Sequence, residues 1–235
     1  MNANALPEEL AASTGVDDFL DRTRTALAPH GFEADNTLVA LSTCRDEVAQ
    51  PLAAAVAQYW GPAFSIGGLG GLPSGGSTAW AACLGHVPDH DRGKVLAIGL
   101  AHIGTVTDGP AGAYHRPWMA GTATTCGALG AVLGSWGDAP AGEESGDQEL
   151  HALRGALAAS GERPEDMVAA TLLTAAAVRE RIVEQLTAQQ PWDRMDVAVV
   201  AGVQVHTPEG VGVGDRILVT DAGILRADGL TALEI

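Results

Sequence analysis

The side chains able to do chemistry sit at the ends of the most apolar runs. Leu38–Glu47 reads LVALSTCRDE, a buried strand whose tip carries Cys44, Arg45, Asp46 and Glu47. A second run, Lys94–Ala101 (KVLAIGLA), ends on His102, and Cys126 follows the turn-like GTATT of 121–125. A Cys/His/Cys set is one that a catalytic zinc ion takes when its fourth position stays open for water. Two thiolates balance the double charge of the ion, yet the ion still brings the pKa of bound water to on the order of 7 in favourable sites. Asp46, two residues beyond Cys44, projects to the same side as Cys44 if the extended geometry continues. There it would either hold a hydroxide toward an electrophile or ligate the metal and close the site.

No C-x-x-C spacing ties this set together, and a single buried cysteine is ordinarily a small apolar filler. Pattern alone therefore leaves zinc ligation and plain core packing both open. Cys83, inside AWAACL, reads as core. His86 and His206 each read either as a donor to the site or as a satisfied structural histidine, with the structural reading favoured for His206 and neither favoured for His86. His30, His90, His115 and His151 read as surface. The glycine-rich GGLGGLPSGG of 67–76 lacks the Gly-Lys-Ser/Thr ending of a phosphate cradle and reads as a tight backbone wall. No Gly-x-Ser-x-Gly elbow is present, so serine hydrolysis is unsupported.

The elements that position these residues alternate between strand and helix. Val16–Leu27 places Val16, Phe19, Leu20, Thr23 and Leu27 on one helical face, and Thr37–Thr43 is a strand apolar enough to be covered on both sides. Glu47–Trp60 reads as a helix with Pro51 in its first turn, Ala63–Ile66 as a short strand, and Thr78–Leu84 as a helix. After the Lys94–Ala101 strand, Gly104–Met119 is a long glycine- and proline-rich loop bearing Tyr114, Arg116 and Trp118. Thr122–Leu133 reads as a small-residue helix with Cys126 in its first turn. Glu149–Ala159 and Pro164–Gln189 are further helices, Asp196–His206 is the last clear strand, and Arg216–Val219 is one more candidate. This order predicts an α/β fold, a mostly parallel central sheet flanked by helices, with ligands beyond the carboxyl ends of the strands.

The 235 residues suit one domain that buries roughly 70% or more of its unfolded surface. A frayed segment is expected at 1–14 and a flexible acidic linker at 137–146. A net charge of -16 excludes nucleic acid and anionic membrane as partners, since both demand a basic face. The start has no charged-then-apolar leader pattern and no window suits a membrane span, so we expect a cytoplasmic protein. Three cysteines, an odd count, fit reduced thiols or metal ligands better than a disulfide framework.

Taken in order, CRDE (Cys44–Glu47), WGPAF (Trp60–Phe64), GGLGGLP (Gly67–Pro73), HVPD (His86–Asp89), HIG (His102–Gly104), CGA (Cys126–Ala128) and GVQVHTP (Gly202–Pro208) resemble the limiting-carbon-dioxide-inducible protein B family. Each motif alone is weak, and the ordered set spans roughly residues 15 to 210. The resemblance implies a β-carbonic-anhydrase-like fold, theta-type carbonic anhydrase activity, a homodimer, and Zn2+ held by Cys44, His102 and Cys126. The implied reaction is reversible hydration of carbon dioxide to bicarbonate by zinc-bound hydroxide. It also implies an Asp-Arg pair beside the metal with Asp46 as its acid. In β-class enzymes the arginine follows two positions later, where this chain has Val48, so Arg45 and Arg116 are both candidates. Ser74, Ser77 and Gly85 depart from the family pattern in the pocket wall. Alternative readings are a non-catalytic zinc protein that binds inorganic carbon or a partner, and a zinc lyase or hydrolase acting on carbon disulfide or carbonyl sulfide.

Overall fold

The computed structural model describes residues 6–88, 92–137, 147–161 and 163–235. Asp89, His90, the acidic stretch 138–146 and the first five residues of the N-terminal segment lie outside the described residues.

Three strands form the centre because their sequences are apolar on both faces. They are β2 (Thr37–Ser42), β4 (Gly93–Gly104) and β7 (Met195–His206). They run parallel side by side, with the short β3 (Phe64–Ser65) parallel on the outer side of β2. On the other side β8 (Arg216–Arg226) pairs antiparallel with β7, and both β1 (Thr14–Gly15) and β9 (Gly229–Ala232) pair antiparallel with β8. The sheet thus has a parallel core and an antiparallel edge, which extends well beyond the candidate strand at 216–219. Leu10, within the segment expected to fray, is fully buried against Ala101, Val203 and Val205.

Period-two alternation sorts the strand residues onto two helical layers. Val39, Leu41, Leu96, Ile98, Leu100, Ala198 and Val200 face α1 (Val16–Leu27) and α2 (Pro51–Trp60). Ala40, Val95, Ala97, Val197 and Val199 face α3 (Gly76–Leu84) and α6 (Met167–Gln189). The same alternation carries His102 onto the face of Leu96 and Ile98, and Gln204 and His206 onto that of Ala198 and Val200. Asp166 caps α6 by accepting from the Ala169 N–H at 2.9 Å. A register shift in β8 opposite Ala201 and Gly202 leaves the β7 alternation unbroken.

Lys94, the only lysine, sits in register with Asp196 across the parallel pair and donates to it at 2.5 Å. Burial acts against the ionised Asp196, but Lys94 and Arg92 outweigh it and hold the carboxyl below its ordinary range. A pKa depressed by folding contributes stability above the unfolded pKa, and that stability is lost as pH falls through the folded value. Asp196→Asn is therefore expected to cost about 1 kcal/mol at neutral pH and progressively less at acidic pH, as the carboxyl titrates. Urea midpoints measured from neutral to acidic pH check this.

Candidate metal centre

Cys44 lies just past β2, where the chain turns sharply into a 3-10 turn at Glu47–Ala49. Asp46 caps that turn, accepting from the Val48 N–H at 3.3 Å, and Gln50 Nε2 donates to the Cys44 carbonyl at 2.9 Å. His102 stands near the end of β4, opposite Gln204. Cys126 is the N-cap of α4 (Gly127–Gly134). The helix expected from Thr122 thus starts five residues later. Thr122–Thr124 instead forms β6, antiparallel to β5 (Ala113–His115), as β-branched residues favour. The second part of the long loop at 104–119 is therefore the first arm of a hairpin, lashed back to β4 by the Gly112 N–H donating to the Gly104 carbonyl at 2.8 Å.

These turns bring Cys44, His102 and Cys126 together, with their ligand atoms all within 4.8 Å of one another. All three are buried, in an apolar shell of Leu129, Val132, Leu153 and Leu157 from α4 and α5 (Gln148–Ala158). His102 Nε2 is buried with no hydrogen-bond partner among the described residues, which is costly for a polar atom unless something binds there. The Cys126 thiol donates to Cys44 and lowers its pKa to about 3, against burial and with help from His102. The same hydrogen bond, followed by burial, pushes Cys126 up. The pair holds one proton between two sulfurs, and a dication that displaced it would meet two thiolates and one imidazole. The donor set fits zinc. Cys83, by contrast, lies in α3 with its thiol pushed up to about 12 by burial.

The long loop supplies the neighbouring charge. Arg116, just past β5 and 6% exposed, donates from Nη2 to both Asp46 oxygens at 3.1 and 3.0 Å and from Nε to Glu47 at 2.7 Å. Its remaining hydrogens reach the carbonyls of Thr124 and Thr125. Burial raises the Asp46 carboxyl, while the charges of His102 and Arg116 pull it back. Arg45, the other candidate, points away and pairs with Glu149 at 2.5 Å, with 59% of its side chain exposed. His86 is exposed and packs its ring on Phe64, and no hydrogen bond joins it to the metal group among the described residues.

The glycine-rich loop closes against the strand ends, as a backbone wall does. A Cβ on Gly67 would lie 2.2 Å from the Thr43 carbonyl, and one on Gly71 2.1 Å from that of Leu100. Gly71 also has φ +85°. Gly71→Ala is expected to cost about 2 to 4 kcal/mol, read as a lowered urea midpoint with an unchanged slope.

Three further residues reach the group from behind; His206 was one candidate donor, and Gln204 and Asp215 were missed. His206 Nε2 lies 3.1 Å from His102 Nδ1, His206 Nδ1 lies 3.1 Å from Asp215 Oδ2, and Gln204 Nε2 donates to that same oxygen at 3.0 Å. Burial lowers the His206 pKa, with Asp215 acting the other way. Reading His206 as merely structural overlooks its contact with His102. The available signal was Gln204 and His206, two polar residues at alternating positions in an otherwise apolar strand.

A family model described as limiting CO2-inducible proteins B/C β-carbonic anhydrases matches residues 13–221. The chain belongs to this family. Among solved structures it is similar to PtLCIB4, a homolog of the limiting CO2-inducible protein LCIB, at TM-score 0.79 and 27% identity over 95% of each chain. It is similar in fold to LCIB itself, at TM-score 0.79 and 24% identity over 97% of each chain. A β-carbonic anhydrase from Coccomyxa, solved with acetazolamide, aligns at TM-score 0.47 and 21% identity over 87% of this chain and 79% of that one. A search of curated proteins finds no match. This chain of the LCIB family thus has the fold of the LCIB structures and a Cys/His/Cys group able to hold a metal. No helix among the described residues is long and apolar enough to cross a membrane.

Proposed function

We propose that this chain catalyses the reversible hydration of carbon dioxide to bicarbonate, with zinc held by Cys44, His102 and Cys126. The observation that carries the reading is the Arg116 clamp. Both Asp46 oxygens are committed to the guanidinium, and the metal group has no fourth protein ligand among the described residues. That arrangement favours the open site over the non-catalytic alternative, in which Asp46 would close it.

Zinc bound there supplies the Lewis acidity that brings the ionisation of water close to neutral pH. The protein's own residues supply orientation. Arg116 fixes the Asp46 carboxylate, whose free lone pairs accept a hydrogen from the attacking water and leave the water's own lone pair facing carbon. The backbone wall around Gly67 and Gly71 gives the apolar substrate a close surface without side chains. The reaction adds the water oxygen to carbon, and the proton passes to solvent. Three free cysteines support a reducing compartment such as the cytoplasm. Trp118 and Met119, 60% and 46% exposed on the hairpin that carries Arg116, support a homodimer, which light scattering would test.

Stopped-flow hydration by zinc-loaded protein tests the activity. We expect turnover that a chelator removes and zinc restores. No turnover between about pH 6 and pH 9, around the usual range for activated water, would reject the reading and leave the non-catalytic one.

A further inference from the structure

Behind His102 lies a line of buried polar groups that zinc ligation alone does not require. We propose that Asp215, acting through His206, sets the position of the proton on His102 and so turns the Nε2 lone pair of His102 toward the metal. This rests on the reading of Cys44, His102 and Cys126 as zinc ligands. Asp215 and His206 are positioning residues, since neither belongs to the metal group itself.

The direction follows from donor and acceptor chemistry. A carboxylate only accepts, so His206, 3.1 Å from Asp215 Oδ2, carries its hydrogen on Nδ1. A neutral ring with its hydrogen there has a bare lone pair on Nε2. That atom faces His102 Nδ1 at 3.1 Å, so the His102 ring carries its hydrogen on Nδ1 and donates it to His206. His102 Nε2 is then the unprotonated nitrogen, and it is the one buried without a partner. One carboxylate thus decides two tautomers in succession.

The surroundings make the device specific. His102, His206 and Asp215 are 1%, 0% and 5% exposed, so water does not compete for these hydrogens. Gln204 holds Asp215 from the side at 3.0 Å. It is itself in register with His102 on the neighbouring strand. Asp215 comes immediately before β8, whose pairing of Arg216 with Val205 sets its height beside His206.

The test reads ring nitrogens and zinc affinity separately. In histidine-15N-labelled metal-free protein, His206 is expected to carry its hydrogen on Nδ1. In zinc-loaded protein, His102 is expected to do the same. Asp215→Ala removes the acceptor that faces the ring, so the His206 hydrogen is no longer held on Nδ1. The variant's zinc Kd, measured by competition with a chromophoric chelator, should rise about 10- to 100-fold. His206→Phe should weaken zinc at least as much. A wild-type His206 with its hydrogen on Nε2, or an Asp215→Ala affinity within about twofold of wild type, would overturn the proposal. If the wild type takes up no zinc, the proposed function fails. The metal-free His206 pattern then still decides the tautomer assignment.

Discussion

Cys44→Ala protein is expected to carry no stoichiometric zinc and to hydrate carbon dioxide at the uncatalysed rate, a fall of at least about 10³-fold. The substitution removes one of the three donors in a group whose ligand atoms lie within 4.8 Å. It also removes the partner that shares a proton with Cys126, leaving that thiol buried beside His102. A site of one thiolate and one imidazole, in an apolar shell closed by Leu129 and Leu153, has too few ligands and too little negative charge to hold a dication against water. Metal analysis and stopped-flow hydration should fail together. Zinc retained at full stoichiometry would show that the ligands lie elsewhere. Cys83→Ser is the matched control, because that thiol sits apart in α3, and it should keep both zinc and rate.

Arg116→Met and Arg45→Met should differ sharply, although both arginines are candidates for the partner of Asp46. Arg116 has 7% of its side chain exposed and is bonded to Asp46 and Glu47, so its removal leaves a buried carboxylate without its cation. Breaking such a pair costs about 3 to 5 kcal/mol. Asp46 would also lose its fixed orientation beside the metal, where a displacement on the order of 1 Å costs about 10²-fold in rate. The expected result is lower kcat with zinc content retained, and a lower melting temperature. Arg45→Met removes an exposed pair with Glu149, worth about 0 to 1 kcal/mol, and should leave kcat unchanged. Equal losses in the two variants would mean that the Asp46–Arg116 contact does not orient the nucleophile.

The two arginines also mark where sequence reading reaches its limit. Apolar runs do specify β2, β4 and β7, because strands buried on both faces must be apolar throughout, and a polar residue at the end of such a run is placed with it. Cys44 and His102 were therefore legible at adjacent strand tips, and the ordered motifs supplied the family. Boundaries governed by pairing were less legible: Thr122–Thr124 runs straight into the small-residue segment of α4, yet its β-branched threonines pair with Ala113–His115 as a strand. Arg116 belongs to a hairpin that is long in sequence and short in space. No local pattern states that its guanidinium returns to Asp46, which lies 70 positions earlier. Likewise, alternation alone put Gln204 and His206 on one face of β7, but their value depends on Asp215, delivered by an antiparallel neighbour. The sequence by itself determined the apolar strands β2, β4 and β7 and the family, since these follow from burial patterns and ordered local motifs. Only the tertiary structure decided which cation holds Asp46 and which carboxylate stands behind His102, because charges far apart in the chain are selected by the packing that makes them neighbours.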